Sequence, residues 1–245
     1  KVMKTLKTLF KCAEEDGHPV HPAYKTSAFK ATRIDVDSIY LTKDELEAIN
    51  KVDLSNMSAG YELARDIFMI GVWTAQRVSD YNNISRDNIH NEIFRSYGED
   101  GKVTERKVMT IHITQQKVNK KVIIPCCSEL RDILAKYPET LPHIAEQKIN
   151  DYMKEIGRKA GLTELIEITS TKGGNITKTK IEKCELIQTH TARRTGATLM
   201  YLSGMNVYDI CKITGHSNIK MLEKYIKADS LETVKKMTED YDYFK

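Results

Sequence analysis

A histidine and an arginine lie three residues apart in the segment from Thr189 to Gly196. A helix that begins near Thr189 would place His190 and Arg193 on one face, close to its N-terminus. A guanidinium offers two parallel donors to phosphate oxygens, and a helix N-terminus adds oriented N–H groups. The spacing is therefore typical of a phosphate site, although a basic helix end that faces solvent would have the same pattern.

A second imidazole and a tyrosine follow closer to the C-terminus. His216 comes directly after Gly215, which is expected to end the preceding helix, and Tyr225 follows nine residues after His216. Ser217 or Asn218 is expected to cap the next helix, which would carry Tyr225. Because the chain contains 12 tyrosines, an amphipathic tyrosine packed at a helix surface is the alternative interpretation of Tyr225.

An arginine lies at the end of an apolar helical stretch, in a segment that begins at Thr74. Arg77 is followed by a carboxylate, Asp80, three residues further on. The spacing suggests that Asp80 holds the guanidinium of Arg77 in place. A plain surface ion pair at a helix end would also explain this pair of residues.

Three lysines occupy or border the polar turn between two β-rich runs, at Lys117, Lys120 and Lys121. A lysine at the tip of a hairpin can enter a DNA groove and deliver a proton to a reacting group. Lys117 is the candidate for this role, with Lys120 and Lys121 close by. A solvated, lysine-rich turn is the alternative.

These residues occur in an order that resembles the active site of the tyrosine recombinases, the phage-type integrase family. In that family the first arginine lies in a Thr-Gly-x-Arg-x-Ser-Glu-like segment. Here Ala75 replaces the usual glycine and Asp80 the commoner glutamate. The resemblance spans residues 41–226, and it implies six catalytic residues: Arg77, Lys117, His190, Arg193, His216 and Tyr225.

The resemblance implies a site-specific recombinase, or integrase, that cuts and rejoins DNA strands through a 3′-phosphotyrosine intermediate. The two arginines and His216 would stabilise the negative charge on the five-coordinate phosphorus. His190 would accept the proton of the phenol, and Lys117 would protonate the leaving 5′ oxygen. The bond between phosphorus and tyrosine stores the energy of the broken linkage, so no metal, nucleotide or other cofactor is expected.

The expected partner is double-stranded DNA at paired recombination sites. A whole reaction needs several protomers, which indicates a homo-oligomer, a tetramer, on DNA. The tail from Asp229 to Lys245 places Leu231, Val234 and Met237 on one helical stripe. This stripe is suited to packing on a neighbouring subunit, with packing on its own domain as the alternative.

Two other functions are considered beside recombination. A type IB topoisomerase uses the same chemistry to nick and reseal DNA without exchange, and a catalytically silent DNA-binding module would not cut at all. The Gly-His and hairpin arrangement favours the recombinase over the topoisomerase. The presence of all six expected side chains disfavours the silent module.

The order of elements predicts a mixed α+β fold, a mainly helical catalytic domain with a small antiparallel β-sheet. Thr42 and Glu45 form a capping box at the start of this domain. Helices are predicted over residues 2–13, 58–74, 128–137, 142–160 and 206–213, and strands over 107–113, 121–125, 165–169 and 176–186, with a hairpin turn at 173–175. Residues 1–17 are expected to be the last helix of a truncated core-binding domain, 18–40 a linker, and 41–245 the catalytic domain with its tail helix.

The composition is that of an ordinary soluble protein, with 40% hydrophobic and 29% charged residues among 245. The net charge of +4 permits nucleic-acid binding without demanding it. The apolar stretch around Ile67 to Trp73 is too short to span a bilayer, so no membrane partner is expected and the cytoplasm is the expected location. The five cysteines lack the spacing of a metal or redox motif, which predicts reduced thiols and no metal site.

Overall fold

The computed structural model describes residues 2–29, 38–97, 103–172 and 175–240. The chain divides into two compact units. The smaller comprises Lys1–Asp37 and Ile168–Thr179, and the larger comprises Ser38–Glu167 and Lys180–Lys245. All six candidate catalytic residues belong to the larger unit.

The smaller unit begins with a helix, α1 (Val2–Glu15), which confirms the helix predicted over residues 2–13. Two 3-10 turns follow at Pro22–Lys25 and Ser27–Phe29. The ring centroid of Phe10 on α1 lies 5.7 Å from that of Tyr24 and 6.0 Å from that of Phe29. Part of the segment predicted to be a linker therefore packs against α1.

Helices and a small antiparallel sheet make up most of the larger unit, which confirms the predicted α+β fold class. The helices are α2 (Lys43–Lys51), α3 (Ala59–Thr74), α4 (Val78–Tyr81), α5 (Ser128–Ala135), α6 (Glu146–Lys159), α7 (Thr189–Leu202), α8 (Val207–Thr214), α9 (Ile219–Leu222) and α10 (Ser230–Asp240). The sheet has the order β1-β2-β3, formed by β1 (Ile89–Tyr97), β2 (Val103–Gln115) and β3 (Lys120–Pro125). Two further strands, β4 (Leu165–Lys172) and β5 (Asn175–Glu182), pair with each other.

Local sequence signals explain how the core helices begin and where they pack. The capping box at the start of α2 is present, since the Thr42 hydroxyl accepts from the N–H of Glu45 and the Glu45 carboxylate accepts from the N–H of Thr42. On α6 the side chains of Ile149, Met153 and Ile156 are fully buried. The spacing of three to four residues places these side chains on one face, against the core.

Helices α3 and α7 approach each other closely at Gly196. A Cβ atom at this position would collide with the carbonyl oxygen of Val72, so the contact between the two backbones requires glycine. Helix α3 ends shortly after this contact, at Ala75, whose φ of 51° lies in the left-handed region. This conformation costs a non-glycine residue roughly 1–2 kcal/mol, and glycine would adopt it without that strain.

Two predicted elements differ from the structure, and one strand was not predicted. Strand β1 was not predicted, because its exposed segment includes the polar residues His90 and Asn91 and lacks a clear apolar alternation. The strand predicted to reach residue 186 ends at Glu182, and residues 183–186 form a 3-10 turn that buries Cys184.

The helix predicted from residue 142 begins at Glu146 instead. The preceding segment is held outside the helix by Asn82, whose side chain donates to the carbonyl of Ile144 over 2.8 Å. The backbone carbonyl of Asn82 in turn lies 2.7 Å from Nδ1 of His143. A contact between residues so far apart in the sequence cannot be predicted from local helical spacing.

Two of the remaining expectations concern the ends of elements. The first two residues of the predicted turn at 173–175 lie outside the described residues, and Asn175 begins β5. The predicted tail helix is present as α10, and residues 241–245 lie outside the described part of the chain. Among the helices of the described ranges, none is both long and apolar enough to cross a bilayer.

Candidate active site

Helix α7 begins at Thr189, as predicted, and carries His190 in its first turn and Arg193 in the next position on that face. Its start is fixed by two contacts. The backbone N–H of Gln188 donates to the Thr191 hydroxyl over 3.1 Å, and the N–H of Thr189 donates to Oδ1 of Asn150 on α6 over 2.7 Å. These bonds satisfy N–H groups that a helix N-terminus leaves without partners.

The guanidinium of Arg193 is fully buried and lies between the C-terminal ends of two helices. Its Nη1 donates to the carbonyl of Ala75 at the end of α3 over 2.9 Å, and its Nη2 donates to the carbonyl of Thr214 at the end of α8 over 3.0 Å. Helix C-termini carry unpaired carbonyls and partial negative charge, so they stabilise a buried cation. Burial lowers the pKa of Arg193 to about 10, which still leaves it protonated at neutral pH.

His216 follows the left-handed Gly215 that ends α8. The Thr214 hydroxyl donates to the carbonyl of Ile210 over 2.6 Å, so it accepts from Nδ1 of His216 at 2.8 Å. With the proton on Nδ1, the Nε2 atom accepts from Nη2 of Arg193 at 3.0 Å. Burial, followed by the charge of Arg193, lowers the pKa of His216 to about 3, so the imidazole is neutral at pH 7.

Tyr225 lies in a turn after α9, and the prediction that a helix would carry it is wrong. Helix α9 is capped by Asn218, as expected, but it ends at Leu222, and the N–H of Tyr225 donates back to the Leu222 carbonyl over 2.7 Å. The turn is tied to α7 by the buried Thr198 hydroxyl. This hydroxyl donates to the carbonyl of Tyr225 over 3.3 Å and accepts from the N–H of Lys227 over 3.0 Å.

The ring of Tyr225 contacts three of the other candidate residues. Its centroid lies 4.6 Å from that of His216 and 5.3 Å from that of His190, which meets it edge-on. The central guanidinium carbon of Arg193 lies 5.2 Å from the same centroid. Four of the six candidate residues are therefore in one cluster, although two of them belong to α7 and the other two follow α8.

His190 is half-buried among cations. Burial is the largest cause that lowers its pKa, to about 4, and the nearby charge of Arg194 is the next. Arg194 is itself half-buried, burial lowers its pKa, and it has no ion pair or hydrogen bond with any residue that the structure describes. Arg194 received no role from the sequence, although its position four residues after His190 on α7 places both side chains on one helix face.

Arg77 and Asp80 form a pair that is largely shielded from solvent, which excludes the alternative of a plain surface ion pair. Nη1 of Arg77 lies 3.9 Å from Oδ2 of Asp80, and the side chains are 17% and 0% exposed. The other carboxylate oxygen, Oδ1, accepts from the N–H of Gln116 over 2.9 Å. Asp80 thus links the Arg77 segment to the lysine hairpin. Nη1 of Arg77 and Oδ2 of Asp80 have no hydrogen-bond partner among the described residues.

The lysine hairpin has the predicted form, with a turn at residues 116–119 between β2 and β3. Lys117 is exposed on this turn, and its charge contributes to the lowered pKa of His190. Nζ of Lys120 donates to the backbone carbonyl of His216 over 3.4 Å. Lys121 lies on β3, opposite Thr114 of β2. Both Lys117 and Lys120 are therefore close to the histidines of the cluster.

The arrangement is suited to an anion. Nε of Arg193 and Nη1 of Arg77 are buried guanidinium atoms that lack a hydrogen-bond partner among the described residues. Unsatisfied buried donors of this kind are rare and need an explanation, and a bound phosphate would supply acceptors for both. Among the described residues, no group of three or more His, Cys, Asp or Glu side chains is placed to hold a metal ion.

A comparison with known protein families identifies the family of the chain. The model of the phage integrase family matches residues 40–232, which is most of the chain. The chain belongs to the phage integrase family. No curated protein sequence is significantly similar to it.

Solved structures of tyrosine recombinases share the fold. XerA recombinase is 16% identical with a TM-score of 0.54, and the match covers 97% of this chain and 73% of that one. A lambda integrase tetramer bound to a Holliday junction is 19% identical with a TM-score of 0.58, over 92% and 58%. The Tn1549 transposon integrase in complex with a circular intermediate DNA is 15% identical with a TM-score of 0.59, over 98% and 77%. The chain thus spans only part of the length of these recombinases.

Proposed function

We propose that this chain is the catalytic part of a site-specific DNA recombinase that cuts and rejoins strands through a covalent bond between Tyr225 and a 3′ phosphate. The observation that carries the proposal is the contact of His190, Arg193 and His216 with one phenol ring. Family membership supports the same conclusion. A type IB topoisomerase or a silent DNA-binding module is not favoured by any contact in the site.

The scissile phosphate would bind between the two arginines. Nε of Arg193 and Nη1 of Arg77 are donors without a hydrogen-bond partner among the described residues, and each would bond a non-bridging oxygen. As Tyr225 attacks, negative charge on these oxygens is stabilised by donors that are already in place. Because Arg193 is held by the ends of two helices, it needs little rearrangement when DNA binds.

His190 would take the proton of the phenol as the new O–P bond forms. Burial and the charge of nearby cations lower its pKa to about 4, which makes it a weak base. A bound phosphodiester adds negative charge beside it and so raises its pKa towards the range suited to proton transfer. The DNA itself would thus activate the base.

His216 would donate to a phosphate oxygen only after it gains a second proton. In the neutral ring the proton is on Nδ1, and Nε2 accepts from Arg193. The phosphate raises the pKa of this imidazole for the same electrostatic reason, and protonation of Nε2 would turn it from an acceptor into a donor. Nη2 of Arg193 would then lose its imidazole acceptor and become available to the phosphate.

Lys117 would protonate the leaving 5′ oxygen. The O–P bond to tyrosine forms as the P–O5′ bond breaks, and the lysine proton gives a free 5′ hydroxyl. In the second half of the reaction a 5′ hydroxyl attacks the phosphotyrosine and releases the phenol, with the proton transfers reversed. No net energy is required, because one phosphodiester replaces another.

The chain would act on paired double-stranded sites as a homo-oligomer. The similar lambda integrase is a tetramer on a Holliday junction. Helix α10 supports an assembly, because its predicted stripe stays exposed: Leu231 is 80% and Val234 is 54% exposed. Another face of α10 packs on its own domain, where Glu232 accepts from the hydroxyl of Tyr40. The assignment of residues 1–17 to an upstream core-binding domain belongs to the same proposal.

A nicked suicide substrate tests the chemistry. Cleavage next to the nick releases a short fragment that carries the free 5′ hydroxyl. Because this fragment diffuses away and cannot religate, the covalent protein–DNA adduct accumulates. We expect an adduct with the unaltered chain and none with Tyr225→Phe, while Tyr208→Phe, a matched change at a tyrosine that is 65% exposed, behaves as the unaltered chain. An adduct that persists in Tyr225→Phe would rule out this nucleophile, and binding without any adduct would favour the silent module.

Exchange is tested separately from cutting. A recombinase resolves a synthetic Holliday junction into two duplexes, whereas an enzyme that only nicks and reseals relaxes supercoiled plasmid and leaves the junction intact. We expect junction resolution. Plasmid relaxation without resolution, from a chain that forms the adduct, would favour the topoisomerase.

A further inference from the structure

Two buried glutamines occupy the space behind the candidate active site. Gln76 and Gln115 are both 0% exposed. Gln76 donates from Nε2 to the carbonyls of Thr74 and Ile213, over 2.9 and 2.8 Å. Gln115 donates from Nε2 to Oε1 of Gln76 over 2.6 Å and to the carbonyl of Thr214 over 2.9 Å. All four amide hydrogens therefore have acceptors, which also fixes the orientation of both amides.

The acceptors are located at two helix ends. Ile213 and Thr214 are the last residues of α8, and Thr74 is the last residue of α3. Carbonyls at helix C-termini lack an intrahelical partner and need donors from elsewhere when they are buried. The glutamine pair supplies those donors and joins the two helix ends through the bond between the two side chains.

Each end of this pair is next to a candidate catalytic residue. Gln76 immediately precedes Arg77, Gln115 lies two residues before Lys117, and the bonded carbonyl of Thr214 lies two residues before His216. Because the two residues are only one or two positions apart, a displacement of the bonded residue would also displace the functional side chain. The pair thus connects the three segments that bring the arginine, the lysine and the histidine from different parts of the sequence.

Gly215 leaves room for the pair. A Cβ atom on this residue would collide with the side-chain amide of Gln115, in addition to the strain of its φ of 76°. The glycine of the Gly-His motif is therefore required by its contact with Gln115 as well as by the helix end. Oε1 of Gln115 has no hydrogen-bond partner among the described residues. An unsatisfied oxygen on a buried amide lowers the stability of the fold. An apolar side chain would therefore suit this position better if its only role were to fill space.

The base of the lysine hairpin is held at two successive residues. The side chain of Gln115 bonds the α8 end, and the N–H of Gln116 bonds Oδ1 of Asp80 over 2.9 Å. Lys117 is the next residue and is exposed on the turn. The side chain of Lys117 is long and flexible, and it restricts its own amine little. The anchoring of the two preceding residues therefore determines the region that the amine can reach.

We propose that Gln76 and Gln115 are positioning residues for the leaving-group proton donor, and that their amide bridge keeps the Lys117 hairpin aligned with Arg77 and His216. The inference rests on the proposed function, in which Lys117 protonates the 5′ oxygen. Loss of the bridge would impair this proton transfer more than it impairs phosphate binding, because Arg193 is held by its own bonds to Ala75 and Thr214.

A substrate with sulfur in place of the bridging 5′ oxygen isolates this step. A thiol ionises far more easily than an alcohol, so the P–S bond breaks to release a thiolate without a donated proton. Single-turnover cleavage of the oxygen and sulfur substrates is compared in Gln115→Met, which keeps the size of the side chain but has no amide. A misplaced catalytic group can cost about 100-fold, so we expect roughly that loss on oxygen and a rate within a few-fold of the unaltered chain on sulfur.

Three further variants give this comparison its controls. Lys117→Met should show the same selective loss, and Lys121→Met, a lysine on β3, should show none. Ile124→Val removes one methyl group from the buried face of β3 and lowers stability without touching the bridge, so its ratio of the two rates should not change. If Gln115→Met does not fold, Gln115→Asn retains an amide with a shorter reach, and the same ratio is measured in that variant.

The outcomes distinguish failure of the bridge from failure of the proton donor. If Lys117→Met is rescued by sulfur and the Gln115 variant is slowed equally on both substrates, the bridge does not act through the lysine and the inference is overturned. The inference is also overturned if the Gln115 variant cleaves both substrates at the rate of the unaltered chain. If Lys117→Met is itself slowed equally on both substrates, the role of Lys117 in the proposed function is wrong.

Discussion

Two regions of the larger unit carry charged side chains in opposite surroundings. In the catalytic corner, formed by Arg77, Asp80, Arg193 and His216, every side chain is at least largely buried, and two guanidinium donors lack a partner among the described residues. In the outer ribbon, residues 93–97 of β1 and 103–107 of β2, Arg95 and Glu105 are 61% and 48% exposed and bond each other over 2.8 Å.

The difference shows which charges can respond to a ligand. A solvated ion pair gains little from its geometry, because water screens both partners and competes for each. A buried guanidinium that is only partly satisfied retains donors for an anion, and its field shifts the protonation of nearby imidazoles. In the catalytic corner Asp80 pairs with Arg77, whereas Arg193 is held by the carbonyls of two helix ends, so the positive charge is only partly cancelled. In the ribbon, the guanidinium of Arg95 is already paired with the carboxylate of Glu105.

The largest effect is expected for Arg193→Ala. Loss of one donor to a developing oxyanion costs roughly 10²–10³ in rate, and this arginine also contacts the tyrosine ring, so we expect cleavage of the suicide substrate to fall by about 10³-fold or more. DNA affinity should remain nearly unchanged, because backbone contacts elsewhere on the surface supply most of it. Single-turnover cleavage and equilibrium binding at one salt concentration measure the two quantities.

Arg193→Lys is the matched variant, since it retains the charge without the planar pair of donors. It should also cleave slowly. A melting curve for each variant separates lost chemistry from lost folding. A large loss of DNA affinity in a folded Arg193→Ala would show that this arginine mainly grips the DNA backbone, as an exposed cation would.

Gly215→Ala should destabilise the chain by roughly 3 kcal/mol, from about 1–2 kcal/mol of left-handed strain and a further term for overpacking against Gln115. In a Gln115→Ala background the collision is absent, so the same change should cost only the strain. Urea unfolding of the four chains gives the coupling energy, expected at about 1 kcal/mol or more. Additive effects would mean that the glycine serves the helix end alone.

The parts of the candidate active site and of its domain that depend on short sequence spacing could be predicted. Helix α7 with His190 and Arg193, the capping box at Thr42 and the turn that carries Lys117 all follow from local rules of helix capping and strand alternation. Convergence of these segments could be inferred only because their order resembles a known family. The local sequence around residues 77 and 193 does not indicate that the two residues are neighbours in the fold.

Features that depend on packing were missed. The bridge between Gln76 and Gln115 joins residues 39 positions apart, and a lone glutamine in a polar turn gives no sign that it will be buried. Strand β1 is stabilised by pairing with β2 rather than by its own pattern. Tyr225 lies outside the predicted helix because Thr198, a residue on another helix, bonds its backbone carbonyl.

Acid should destabilise the folded chain through His190 and His216. The pKa values of His190 and His216 are lowered to about 4 and about 3, so both rings take up a proton on unfolding below their ordinary pKa of about 6.5. The unfolded chain then binds more protons than the folded chain, and the free energy of unfolding falls as the pH drops from about 6.5 towards 3. Urea unfolding across this range measures the slope.

His190→Gln should retain more of its stability in acid than the unaltered chain, since one of the two protons is no longer taken up. Arg194→Gln removes the largest neighbouring charge that lowers the pKa of His190, so the pKa of this ring should rise, as read from its NMR chemical shift against pH. An unchanged titration of His190 in Arg194→Gln would show that the charge of Arg194 does not control the protonation of this ring.

The smallest effect is expected in the outer ribbon. Arg95→Ala should change the free energy of unfolding by less than about 1 kcal/mol, because exposed ion pairs typically contribute about 0.2–1 kcal/mol. Its cleavage rate on the suicide substrate should equal that of the unaltered chain. A double-mutant cycle with Glu105→Ala measures the pair itself, and raising the salt concentration should weaken it further. A rate loss in Arg95→Ala comparable with that of Arg193→Ala would show that solvated charge on the ribbon takes part in the reaction, and burial would then no longer separate the charges that act from those that do not.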